Sequence, residues 1–436
     1  MRGLDGFRRD RPVAWRTAGY VAAAVFAGGI GVFAGQEVQA AWGRWAAGAY
    51  VLAALVTVLW RRPAARTVAT GVALAGAVVA PLVWMVTGGR DMSPAGLGPL
   101  RVISRAGRLL VEHGSPYLPM DQLTGPESLN PYGPPLTIFG LPHALGLDGW
   151  AGNPRTWLVL SAVLLGYAAL RLVRADRPVW TLAAAFASPV LALPVVMGST
   201  DLPVLGLLVL GVALLVRGTH PESTDAEPQA AGARPEGSGA YPRGAGARSG
   251  SLDGRDLVPA GVALGVACAM KATALPAVLV LIPLLLVRGG WRPVLMFTGS
   301  GVLAALGSAV LTAPAMPADS RDLVHNMVMF PLRLTSQQTT AASPMPGQVV
   351  AADGSAGKLL MIGLLAVVMA AVCAYLWRRP ARDLPTAVLQ MTVIWSLIFT
   401  LAPSTRYGYF VYPLLMLGLR NLLRDRNLPH RVAAPR

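Results

Sequence analysis

Apolar residues fall in long, nearly unbroken runs along the whole chain. They lie near 17–34, 45–60, 66–87, 156–173, 178–197, 202–217, 257–270, 272–287, 293–313, 357–377, 384–402 and 406–420. A run of about 18 or more apolar residues is long enough to cross a bilayer as a helix. The runs lack period-two alternation, so a membrane barrel does not fit. The pattern predicts an all-α polytopic membrane protein with roughly 12 transmembrane helices. The 257–287 pair reads as two short helices or one broken helix. The run PPLTIFGLPHALGL after Gly133 is too short to span and reads as re-entrant or interfacial.

Polar segments divide the chain. A cytoplasmic N-terminus (1–16) leads into an N-terminal hairpin (17–65). One membrane half follows (66–217, carrying loop 88–155), then a linker (218–256). A second half (257–422, carrying loop 314–356) ends in a tail, 423–436. The linker is rich in Gly, Pro, Ala and Ser and has no hydrophobic period, which predicts disorder. The first apolar run lacks an obvious cleavage site and reads as a signal anchor.

Composition agrees with this picture. Hydrophobic residues make up 54% of the 436, and only 13% are charged, about half the share usual in a soluble domain. Mean hydropathy is +0.52. The net charge of +16 would suggest nucleic acid in a soluble protein. Here arginines marking cytoplasmic loops and lipid headgroups explain it, and no nucleic-acid partner is expected. With the N-terminus in the cytoplasm, 26 arginines fall inside, against 9 arginines and both lysines outside. That asymmetry predicts cytoplasmic termini and puts loops 88–155 and 314–356 on the outer face of the membrane, expected to be the plasma membrane.

Cys268 and Cys373 both sit in apolar runs and offer no disulfide framework. The five histidines are scattered, so no metal site is expected. Walker, HExxH, GxSxG and CxxC patterns are absent.

The candidate chemistry gathers in the outer loops. From Arg101 to Glu112 the sequence has helical period. Val102, Ile103, Ala106, Leu109 and Leu110 form an apolar stripe, and Arg101, Arg105, Arg108 and Glu112 lie on another face. This predicts an amphipathic helix at the membrane interface, ended by Gly114 and Pro116, whose arginines are also suited to a lipid phosphate. Asp91 reads either as a general base at the mouth of a cavity or as a solvated loop acid beside Arg90. Asp201, in GSTDLP, reads first as an N-cap and second as a cavity-lining carboxylate. Lys271 interrupts an apolar pair, either as a turn or as a phosphate contact. Arg406, followed by Tyr407, Tyr409 and Tyr412, reads as an interfacial aromatic belt or as a phosphate clamp with an aromatic wall. In 314–356, HNMVMFPLRL, with His325, Asn326 and Arg333, reads as an ordinary loop or as a cover over a site.

Several pieces follow one another along the chain: RAGRLLVEHGSPY (105–117), NPYGPPLTIFGLP (130–142), GSTDLP (198–203), GVALGVACAMK (261–271), NMVMFPLRL (326–334) with SPMPG (343–347), and APSTRYGYFVYP (402–413). Together they resemble the GT-C superfamily of polyprenyl-phosphate-sugar-dependent glycosyltransferases, in particular glycosyltransferase family 87, which includes actinobacterial α-mannosyltransferases. The resemblance implies a GT-C-like fold with an extracytoplasmic first loop of catalytic type. It implies transfer of one sugar, mannose or another, from a polyprenyl-phosphate donor to an outer glycan, lipid or protein acceptor, with inversion and without a cofactor. A carboxylate deprotonates the acceptor and basic residues receive the leaving phosphate.

In the family the acid tends to sit just before the amphipathic helix, where this chain has Pro99, Leu100 and Arg101. Asp91 is the nearest upstream acid and is the expected base, with Asp201 or Glu112 as replacements. Arg406, Lys271 and Arg333 are the expected phosphate contacts. Tyr117, Asn130, Tyr132, Asn326, Tyr407 and Tyr409 are the expected pocket. The competing classes are a flippase or transporter of lipid-linked glycan, and a silent lipid-linked-sugar-binding membrane protein; neither an internal repeat nor midplane polar residues favour transport.

Overall fold

The computed structural model describes residues 2–60, 62–87, 98–218, 254–315, 320–337, 341 and 343–427. Asp91 and the linker 219–253 lie outside the described residues. The described residues are helical apart from turns and loops.

In chain order the main helices are α1 (Arg2–Phe33), α2 (Glu37–Leu59), α3 (Ala65–Thr87), α4 (Pro99–His113), α5 (Pro154–Leu172), α6 (Pro178–Phe186) and α7 (Pro189–Met197). They continue as α8 (Asp201–Arg217), α9 (Gly254–Met270), α10 (Ala272–Gly289), α11 (Trp291–Thr312), α12 (Gly354–Arg378), α13 (Leu384–Leu401) and α14 (Val411–Asn427). Among the described residues, eight of these are long and apolar enough to cross a membrane, from α1 (Val13–Phe33) to α13; the bent pair α6–α7 makes nine. Helices α8, α9 and α14 have 17 residues each, about 25 Å at 1.5 Å per residue. They occupy the three remaining predicted positions.

Some boundaries differ from the sequence reading. The run 178–197 bends by 74° between α6 and α7. Ser188 is extended there and Pro189 opens α7, because a proline cannot donate into the preceding helix. The run at 406–420 does not begin as an α-helix. Arg406 is extended, Tyr407–Phe410 forms a tight 3-10 turn, and α14 continues to Asn427.

The N-terminal hairpin is knitted into the rest. Trp42 Nε1 donates to Ala77 O (2.8 Å) in a π-turn of α3, and Tyr50 Oη donates to Ala187 O (2.9 Å) at the α6–α7 bend. Both aromatics thus satisfy carbonyls near interruptions of regular helix. Small residues bring α9 and α11 together: a Cβ on Gly265 would lie 2.0 Å from Gly301 O, and one on Gly261 would lie 2.2 Å from Phe297 O. Across the linker, Arg217 Nη2 pairs with Asp256 Oδ1 at 2.9 Å, which fastens the start of α9 beside the end of α8.

Candidate functional site

The amphipathic helix forms as expected, two residues earlier and one later than its predicted bounds. Pro99 sits in its first turn and Gly114 closes it in the left-handed conformation. Ile103, Ala106 and Leu109 are buried by protein, so the stripe assigned to the membrane interface is covered mainly by the fold itself. The cover is Pro134–Gly140, a 3-10 turn. Contact is backbone-close, since a Cβ on Gly140 would lie 2.1 Å from Ile103 O. The short apolar run is therefore a wedge packed into the protein.

The wedge also positions Tyr132. Gly133 N donates to Met270 O at 2.9 Å, and a Cβ on Gly133 would lie 1.6 Å from Ala269 O. Only glycine admits that approach. It sets the Tyr132 ring beneath Lys271, whose Nζ stands 5.0 Å from the ring centroid. Tyr117 Oη donates to Tyr132 O at 2.9 Å, and burial pushes the Tyr117 phenol well above its ordinary value, so it stays a donor. Asn130 Nδ2 donates to Pro116 O (3.2 Å), and Asn130 N donates to Asn326 Oδ1 (2.7 Å).

These pieces enclose a cavity of about 600 Å³. Arg101, Ser104, Arg105 and Arg108 of α4 form one wall. Lys271 and Tyr132 lie on another, and Arg406 and Tyr409 on a third. Met327, Phe330, Ile398 and Phe399 add apolar surface. Among the described residues, five cationic side chains and no carboxylate line the space, a lining electrostatically suited to an anion.

Arg406 is held by backbone pairing. Thr405 N donates to Ala341 O (3.1 Å), and Ser343 N donates to Thr405 O (3.0 Å). Ser343 Oγ accepts from Tyr407 N at 3.2 Å. The SPMPG segment is thus the brace of the APSTR turn.

Behind Lys271 lies a buried polar cluster. Asp201 Oδ1 accepts from Lys271 Nζ (2.7 Å) and Tyr412 Oη (2.7 Å), while its Oδ2 accepts from Ser199 Oγ (2.9 Å). Tyr412 spends its one proton on Asp201, so Thr273 Oγ1, 3.0 Å away, must donate to Tyr412. Asp201 is not an N-cap: Thr200 holds that position without a side-chain cap, and Asp201 is the first helical residue. The lysine outcompetes the helix amides for the carboxylate.

The structure therefore gathers Lys271, Arg406, Tyr132 and Tyr409 of the expected site around one cavity. Tyr117, Asn130 and Asn326 are buried supports outside its lining. Arg333 lies off the lining, with Nη1 directed to Pro403 O at 3.5 Å, and Tyr407 is exposed. Glu112 is also exposed, 3.8 Å from His113. Thr273, Phe399 and Ser404 were not singled out from sequence. Their only sequence signal is adjacency to Lys271 and Arg406, or the end of an apolar run.

Apolar helices of spanning length around a cavity lined by cations define a multi-pass membrane protein. The family model of glycosyltransferase family 87 matches residues 130–404, and the chain belongs to that family. No curated protein and no solved structure matches it. The chain is thus a glycosyltransferase, and the match takes in Tyr132, Asp201 and Lys271 and stops two residues short of Arg406.

Proposed function

We propose that the protein transfers a single sugar from a polyprenyl-phosphate donor to a glycan, lipid or protein acceptor on the outer face of the plasma membrane, across roughly 12 membrane passes. The supporting observation is the cavity, which Arg101, Arg105, Arg108, Lys271 and Arg406 all line. A donor phosphate gains negative charge as the sugar departs, and pre-placed cations stabilise that charge more in the transition state than before it. The apolar face of Met327, Phe330 and Phe399 suits the first isoprene units.

In this reading the acceptor hydroxyl loses its proton to a carboxylate and attacks the anomeric carbon. The bond to the phosphate oxygen breaks, and polyprenyl phosphate leaves with that electron pair. The base is Asp91. It precedes the cavity-lining Gly98 by seven residues, whereas Asp201 is committed to three donors and Glu112 lies off the cavity. Membranes containing the full chain, given labelled polyprenyl-phosphate sugar, should transfer label to endogenous acceptor, and Asp91→Asn should lower turnover at least 100-fold. Undiminished turnover in that variant sinks the assignment of the base. Mass spectrometry of envelope glycolipids and glycans from a knock-out identifies the product.

A further inference from the structure

We propose that Asp201 is a positioning residue that fixes the Lys271 ammonium in the cavity wall for the donor phosphate; this rests on the reading of the cavity as a polyprenyl-phosphate-sugar site. Lys271 stands at the break between α9 and α10, with its backbone extended. The residue is only 7% exposed, yet it lines the cavity. An ammonium so enclosed needs a counter-charge and partners for three hydrogens. Asp201 takes one hydrogen at 2.7 Å and Tyr132 presents its ring face. At least one hydrogen remains for an oxygen anion in the cavity.

Asp201 is in turn immobilised. Ser199 and Tyr412 donate to it, Thr273 supports Tyr412, and Trp395 Nε1 donates to Thr273 O at 2.7 Å. The chain of contacts runs from the α7–α8 turn through α14 to α13. A lysine has a flexible stem and a point charge. Here two side chains, Asp201 and Tyr132, touch it directly, and four more, Ser199, Thr273, Trp395 and Tyr412, brace Asp201.

A buried ion pair also has a purely structural explanation, and the two accounts separate experimentally. Breaking such a pair from one side strands a charge, whereas replacing both partners by apolar residues is often neutral for folding. The test uses purified full-length protein in detergent. Binding of polyprenyl phosphate is compared with that of the uncharged polyprenol, and folding is followed by thermal unfolding. The wild type should prefer the phosphate. The double variant Asp201→Leu with Lys271→Met should unfold near the wild-type temperature, yet bind the phosphate at least tenfold more weakly, with polyprenol binding unchanged.

The swapped pair, Asp201→Lys with Lys271→Asp, should lose at least as much, because it puts the carboxylate in the wall. Asp201→Asn alone should weaken phosphate binding about fivefold, since the uncompensated ammonium sheds its proton or leaves its place. Wild-type affinity in the folded double or swapped variant overturns the proposal, as does unweakened binding in Asp201→Asn. If the double variant does not fold, the other two decide. A wild type that cannot tell phosphate from polyprenol instead overturns the reading of the cavity itself.

Discussion

Asn326 shows how single side chains keep the cavity's shape. It is fully buried, accepts from Asn130 N at 2.7 Å and donates to Asp322 O at 2.8 Å. It thus clips the 320–329 segment to the Asn-Pro-Tyr loop that carries Tyr132. Replacement by alanine leaves a buried amide N–H without its acceptor, which costs about 1–3 kcal/mol. Asn326→Ala should lower the unfolding temperature and raise KM for the lipid donor, read by thermal unfolding and by transfer kinetics. Tyr407→Phe, an exposed change, should do neither. Residue identities of this kind were visible in the sequence, but their roles were not. A carboxylate before Leu-Pro fits a helix cap on local grounds, and the lysine that claims Asp201 is 70 positions away.

At the level of elements, α4 and the wedge behind it organise the site. The arginine spacing 101, 105, 108 was legible as one face of a helix, because helical period alone fixes it. What covers the opposite stripe was not legible. Lipid and a 3-10 wedge are equally apolar, and the Gly107–Gly140 approach, which selects the wedge, is a contact between distant residues. The arginine face makes a further prediction. Replacing Arg101, Arg105 and Arg108 by glutamine, one at a time, removes a partly screened cation each time, worth about 1 kcal/mol. Each change should therefore weaken polyprenyl-phosphate binding about fivefold, since 1.4 kcal/mol is a factor of ten. The loss should shrink as salt is raised, because the Debye length falls from about 10 Å at 0.1 M to about 3 Å at 1 M. Binding that is indifferent to all three changes would remove α4 from the donor site.

At the scale of the molecule, the arginine asymmetry and the contacts suggest one orientation. Arg217 meets Asp256 at the two ends of the linker, and Arg288 Nε donates to Arg382 O at 3.1 Å, joining two of the short arginine-bearing loops. The cavity is built by the opposite ends of those helices, at Lys271, Phe399 and the break before α14. If positive loops stay inside, the linker faces the cytoplasm and the cavity faces out. Single cysteines decide this in intact cells, after Cys268 and Cys373 have been replaced by alanine. Asp121→Cys, between α4 and α5, should react with a membrane-impermeant maleimide. Ser249→Cys in the linker should react only after the cells are opened. The reverse pattern would put the cavity in the cytoplasm. It would also require the 26 arginines assigned to the inside to lie outside, against the bias that sets membrane orientation. The same experiment bears on α8, α9 and α14, whose 17 residues fall just short of a relaxed 30 Å core. If all three cross, by local thinning or by burial among their neighbours, both termini of the chain share the linker's side. A cysteine placed after Asn427 should then be protected in intact cells, as Ser249→Cys is.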